Sequence, residues 1–179
     1  MVEIVGRVFA AVPLPSEIRM ALADQVRGLD IPGRLVPIEN WHLTLRFLGT
    51  VDRVTYERFL HGLSGVETHS PFTVRFHGFG GFPKAKKATV MWAGVDGGAD
   101  ELEDLNEIAE TAAQSAGLEP EDRPYQPHLT LSRVRPPRSI DHLVGEPLDL
   151  RFTVSEVVVY RSHLGGGGAC YEPLENFSL

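Results

Sequence analysis

The chain predicts an α+β fold of two similar lobes, each a small sheet backed by helices. Three observations carry that expectation. Strand and helix periodicities alternate from end to end, no linker-like stretch interrupts them, and the second half repeats the pattern of the first. The 179 residues, 42% hydrophobic and 23% charged, suit a single folded unit spanning 1–179.

The elements follow from local signals. Residues 7–12 are β-branched and aromatic, a strand stopped by Pro13 and Pro15. Ser16 is the expected cap of a helix over 17–29, striped by Ile18, Leu22, Val26 and Leu29. A strand is predicted over 43–48, a helix from an Asp52 cap to Leu63, and a strand over 72–76. Gly78, Gly80, Gly81 and Pro83 turn the chain into a strand at 89–95. A third helix spans about 100–116 and ends at Gly117. Its Glu101, Glu103, Asp104, Glu107 and Glu110 read as a solvated face. A strand at 129–134, a short helix at 139–144, one long strand at 151–161, a flexible glycine run and a last strand near 171–174 complete the series.

Residues 7–76 and 90–159 share one order: strand, helix, His-Leu-Thr-Leu strand, helix, Phe-Thr-Val strand. The tetrapeptide occurs at His42–Leu45 and His128–Leu131, and Phe72-Thr73-Val74 answers Phe152-Thr153-Val154. Nine threonines in 179 residues give any histidine about a one-in-twenty chance of a threonine two positions on. One copy is therefore an ordinary half-buried strand, whereas two copies at matched places of a repeat point to function.

Side chains alternate along a strand, so His42, Thr44 and Arg46 are expected on one face, with Leu43, Leu45 and Phe47 behind. His128, Thr130 and Ser132 project together in the same way. Two lobes related by a pseudo-twofold would bring both faces to one groove. In-line hydrolysis of a phosphodiester needs a base on the attacking water and an acid on the departing oxygen, roles that imidazoles fill near neutral pH. Each placed proton transfer is worth about 10²–10⁴ in rate. The threonine hydroxyls would hold non-bridging oxygens. The histidine spacing fits no common zinc pattern and Cys170 has no partner for one, so neither metal nor other cofactor is expected.

The net charge of −7 argues against an extended duplex-binding surface and leaves room for a local grip on a terminus or small phosphate. With one cysteine, no signal-like start and no apolar run of spanning length, a cytoplasmic monomer away from membranes is the expectation.

At these residues the sequence resembles the 2H phosphoesterase superfamily, and within it the RNA 2′,3′-cyclic phosphodiesterase (LigT-like, 2′-5′ RNA ligase) branch. The resemblance runs nearly end to end, through Arg7-Val8-Phe9-Ala10 and Pro13, then Trp41-His42-Leu43-Thr44-Leu45-Arg46-Phe47-Leu48-Gly49. It continues in Phe79-Gly80-Gly81-Phe82-Pro83, Trp92-Ala93-Gly94, Pro127-His128-Leu129-Thr130-Leu131 with Arg133, Tyr160-Arg161-Ser162 and Tyr171-Glu172.

The resemblance implies two antiparallel sheets around a central cleft, and opening of a terminal 2′,3′-cyclic phosphate on RNA, or on a nucleotide, to a 2′-phosphate. It also implies His42 as proton donor and His128 as proton acceptor, with 2′-5′ joining as a reverse activity. Thr44, Thr130, Arg46 and Arg133 are the expected phosphate ligands. Arg133 lies five residues after His128, hence on the opposite face of a regular strand unless a bulge re-aims it. Two other functions fit the motifs: a nucleotide- or RNA-binding module of the same fold with little turnover, and a phosphodiesterase for another small cyclic or 2′-5′-linked phosphate. Lys84, Lys86 and Lys87 read as a solvated loop or as contacts to RNA phosphates, and Phe9, Trp92 and Tyr125 as packing or as base-stacking surfaces.

Overall fold

The computed structural model describes residues 1–179. In chain order it contains β1 (Ile4–Pro13), α1 (Ser16–Val26), β2 (Arg34–Leu35), β3 (His42–Asp52), α2 (Arg53–Leu63), β4 (Phe72–Phe82), β5 (Ala88–Gly97), α3 (Ala99–Ser115), β6 (His128–Arg138), β7 (Asp149–Val154), β8 (Glu156–Gly165) and β9 (Gly168–Ser178). The strands form two antiparallel sheets, ordered β3-β1-β8-β9 and β2-β6-β5-β4-β7. Helices α2 and α3 pack on each other and on β3, while α1 lies against β7. One continuous hydrophobic core joins both sheets, from Val8 and Leu43 to Leu129 and Phe152. No helix is long and apolar enough to cross a membrane.

Local chemistry sets several boundaries. Asp52 caps α2 by accepting from the Thr55 amide at 2.7 Å. Gly117, with φ of +95°, ends α3, and the Leu118 amide reaches back to the Ala113 carbonyl at 3.0 Å. The helix pair α2–α3 closes over Gly62, where an added Cβ would lie 2.8 Å from that of Ala112. Ser16 makes no capping bond, and α1 stops at Val26 because the chain turns away before Gly28.

Three expectations change. The apolar alternation over 151–161 is two strands, because Ser155 passes the chain from one sheet to the other; Phe152 and Val154 stay buried before it, Val157 and Val159 after it. Residues 141–145 form turns rather than a helix, with Ile140 and Leu143 anchoring them in the core. β9 runs the full Gly168–Ser178 because it pairs with β8 along its length.

The sheets also do not coincide with the sequence halves 7–76 and 90–159. β4 leaves the first half to join β5 and β6, and β8 returns to join β1 and β3. The two Phe-Thr-Val copies pair with each other, Phe72 opposite Val154, Thr73 opposite Thr153 and Val74 opposite Phe152. Each sheet therefore draws its strands from both halves of the sequence.

Candidate active site

The two His-Leu-Thr-Leu strands, β3 and β6, lie beside one another where the sheets meet. Each imidazole is held by the backbone two residues upstream. His42 Nδ1 is 2.7 Å from the Asn40 carbonyl oxygen, and His128 Nδ1 is 2.7 Å from that of Gln126. A carbonyl only accepts, so both Nδ1 atoms carry hydrogen and each neutral ring presents Nε2 as its acceptor. His42 Nε2 lies 2.8 Å from Thr44 Oγ1, which donates to it. Any residue has a carbonyl, so no side-chain pattern announced these two anchors.

Aromatic rings wall both histidines. Phe9 lies 5.0 Å from His42 and Tyr171 meets its edge at 5.4 Å. Phe82 meets His128 edge-on at 4.9 Å, with Trp92 at 6.3 Å. Trp92 lies against Gly80, where any Cβ would come within 2.2 Å of the indole; this is the reason for glycine in Phe79-Gly80-Gly81-Phe82. Phe9 is fully buried and serves as packing beneath His42.

Both His-Leu-Thr-Leu strands bulge at the same place. Ala10 and Ala11 of β1 face Arg46 and Thr44, leaving Leu45 as the extra residue; Met91 and Trp92 of β5 face Ser132 and Thr130, leaving Leu131. Each bulge reverses the faces beyond it. Thr44 and Thr130 stay on the histidine face. Arg46 and Ser132 turn into the core, with 7% and 0% exposure, and Phe47 and Arg133 turn outward onto the histidine face.

The expectation that Arg46 grips phosphate is therefore corrected, as are those for Phe47 and Ser132. The guanidinium of Arg46 is buried against Glu110 at 2.5 Å and Glu121 at 2.6 Å, and donates to the carbonyls of Phe47 and Glu119. Glu110, read from sequence as part of a solvated helix face, is instead mostly buried with it. Ser132 Oγ donates to the Pro32 carbonyl at 2.7 Å. Arg133 is brought to the groove face by the bulge, opposite Val90.

The bulges are tied off by the rest of the fold. The Leu45 carbonyl accepts from Asn106 Nδ2 at 2.8 Å, and the Thr44 carbonyl from Tyr125 Oη at 3.0 Å. Burial pushes the Tyr125 phenol well above its ordinary value, which keeps it a donor. The Leu131 carbonyl accepts from the Val36 amide at 2.8 Å. Asn40 is buried and sends its Nδ2 to the Ala169 carbonyl at 2.8 Å, so the segment holding His42 also grips the β8–β9 hairpin.

Burial in the wall lowers the His42 imidazole from its ordinary value near 6.5 to about 4, partly opposed by the Asn40 carbonyl and reinforced by the charge of His128. Burial lowers His128 as well, against the pull of Gln126. Both rings are neutral at pH 7 in the free protein. The groove thus offers a neutral Nε2 base, a second imidazole able to carry a proton, two hydroxyls and one unpaired arginine. That set can bind an anionic phosphorus centre and move protons on either side of it.

The profile of the 2′-5′ RNA ligase superfamily matches residues 14–166. This chain belongs to the 2′-5′ RNA ligase superfamily. A superfamily member from Methanothermobacter thermautotrophicus, named RNA 2′,3′-cyclic phosphodiesterase, is 32% identical to it over 97% of this chain and 98% of its own. Among solved structures, TT0787 of Thermus thermophilus superposes with a TM-score of 0.82 at 30% identity, covering 97% of each chain. E. coli LigT complexed with 3′-AMP superposes with a TM-score of 0.80 at 27% identity, covering 97% of this chain and 98% of that one. The α+β architecture of two antiparallel sheets is thus that of the superfamily.

Two measurements check this geometry. In an NMR titration, His42 stays neutral until the pH approaches 4 and His128 titrates below 6.5. The unfolded imidazole takes up its proton near 6.5 and the folded one only near 4, so stability falls as the pH drops through that window. A His42 resonance titrating at 6.5 or above would contradict the buried, neutral ring. Separately, Arg46→Met leaves Glu110 buried without its cation and costs on the order of 3 kcal/mol in urea unfolding. A loss of substrate affinity at unchanged stability would return Arg46 to the groove.

Proposed function

We propose that this superfamily member hydrolyses the terminal 2′,3′-cyclic phosphate of RNA to a 2′-phosphate by two-histidine acid–base catalysis without a metal. The observation that carries the reading is the matched pair of imidazoles on β3 and β6, each with Nδ1 tied to a backbone carbonyl and Nε2 left as the acceptor, which in His42 is met by the Thr44 hydroxyl. The names of the relatives supply the substrate class.

In this reading the cyclic phosphate lies between the two rings. His128 takes a proton from water as it attacks phosphorus, and His42 delivers one to the departing O3′. Water is consumed, the P–O3′ bond breaks, and the product carries a 2′-phosphate and a free 3′-hydroxyl. Thr44, Thr130 and Arg133 stabilise the non-bridging oxygens as charge builds. With a 5′-hydroxyl in place of water as the nucleophile, its proton passing to His128 and the P–O3′ bond breaking as before, the same groove would join a 2′,3′-cyclic end in a 2′-5′ linkage.

The entering phosphate is an anion and raises both imidazoles toward neutrality, which allows one proton to be shared by the pair. In the free protein both lie below 6.5. A bell-shaped kcat/KM profile should therefore have its maximum below pH 6.5, with the kcat profile displaced to higher pH by bound substrate. A kcat/KM maximum at pH 8 would contradict this.

His42→Ala and His128→Ala should each lower turnover of a 2′,3′-cyclic nucleotide by about 10²–10⁴ with the fold retained, and EDTA should leave the wild type unaffected. A phosphodiester with a 4-nitrophenolate leaving group needs no general acid, so it should restore much of the His42→Ala rate and little of the His128→Ala rate. Rescue of the opposite variant would reverse the roles, and wild-type rates in both would end the mechanism.

A further inference from the structure

The superfamily member is acidic as a whole, yet its charge is unevenly placed. Residues 31–38, 76–95 and 124–140 contain seven of its 17 basic residues and none of its 24 acidic ones. The fold brings these three stretches together, because β2, β6, β5 and the β4–β5 turn are neighbours in one sheet.

Arg34 on β2 stands directly opposite Arg133 on β6, and Arg133 is opposite Val90. Farther along β6, Arg138 is opposite Ala88, and the Ile140 amide bonds the Ala85 carbonyl at 2.8 Å. That contact lays the end of β6 beside the turn bearing Lys84, Lys86 and Lys87. All seven cations are exposed. Six of the other ten basic residues pair with a carboxylate, but none of these seven does.

Two arginines facing each other across antiparallel strands repel, and such a pair is destabilising unless an anion joins it. Arg34 has only the Gly167 carbonyl, 3.4 Å away, on the tip of the β8–β9 hairpin. The row begins on the strand that carries His128 and leads away from it. From Thr130 to Arg138 it extends at most about 26 Å at ~3.3 Å per residue, well beyond one nucleotide. An acidic body with one basic ledge leading to the histidines directs a polyanion along the ledge and away from the remaining surface.

We propose that this ledge holds the single-stranded RNA that precedes the cyclic end, its phosphodiesters meeting Arg34 and Arg133 nearest the histidines and then Arg135, Arg138 and the three lysines. The substrate is thus an oligoribonucleotide rather than a cyclic mononucleotide. The inference rests on the phosphodiesterase reading above and specifies what that site acts on.

The test compares a 2′,3′-cyclic mononucleotide with an oligoribonucleotide of about six nucleotides ending in the same group, across a series of salt concentrations. The wild type is set against the combined variant Lys84→Gln, Lys86→Gln, Arg135→Gln, Arg138→Gln, whose positions are exposed and outside the groove. At low salt the wild type should favour the oligonucleotide by tenfold or more in kcat/KM. Its log kcat/KM should fall with log salt by ~0.7 for each phosphate contact. The variant should lose that preference and most of the salt slope while hydrolysing the mononucleotide as before.

Equal use of both substrates by the wild type, or equal slowing of both by the variant, overturns the ledge. If the wild type turns over neither substrate, it is the phosphodiesterase reading that fails. Titration of the same oligonucleotide by fluorescence anisotropy then decides the ledge alone: salt-dependent binding weakened by the variant supports it, and binding unaffected by the four substitutions refutes it.

Discussion

The buried guanidinium of Arg46 is the contact on which the arrangement of the two histidines depends. It joins three parts of the chain that share no sheet: its own strand β3, Glu110 on α3, and the segment at Glu119 and Glu121 that leads into β6. A charge taken out of water must be met on every side, and the planar fork of arginine can meet two carboxylates and two carbonyls at once, which an ammonium cannot. Asn106 and Tyr125 add two neutral ties from the same region to the carbonyls of Leu45 and Thr44. Together they set the strand of His42 against the segment that delivers His128.

The paired bulges give the groove its chemistry. Each inserts a leucine after the His-x-Thr unit and exchanges the faces of the residues that follow it directly, Arg46 and Phe47 on β3 and Ser132 and Arg133 on β6. At the exchanged position one strand carries Phe47, which joins Phe9 at 5.3 Å, and the other carries Arg133. Both sides of the groove are aromatic, but the side of His128, walled by Phe82 and Trp92, also carries the arginines Arg133 and Arg34, whereas the side of His42 continues in Tyr160 and Tyr171. A near-symmetric scaffold has become an asymmetric site.

Burial accounts for the remaining electrostatics. The same aromatic walls that position the imidazoles remove water from them, and the neutral forms prevail. An anion brought into the groove would favour the charged imidazole and reverse that preference. The acidic surface and the basic ledge belong to the same balance: most of the cations elsewhere are paired with carboxylates, and those of the ledge are not.

The sequence by itself determined the fold class, the limits of α2 and α3, the two histidine strands, and the faces shared by His42 with Thr44 and by His128 with Thr130. These follow from alternation and capping, which act over two to four residues and are written locally. Only the tertiary structure decided where Arg46, Phe47, Ser132 and Arg133 point. A bulge is fixed by the partner strand's register, and a two-residue period read along one strand cannot see it. The exchange of β4 and β8 between sheets was hidden for the same reason: the pairing of Phe72-Thr73-Val74 with Phe152-Thr153-Val154 joins residues some eighty positions apart. Glu110 looked like any solvated helix carboxylate because its partner lies on β3, 64 positions away in the chain. The local pattern placed the two histidines and their threonines on one face; the long-range pairing decided which charges stand beside them.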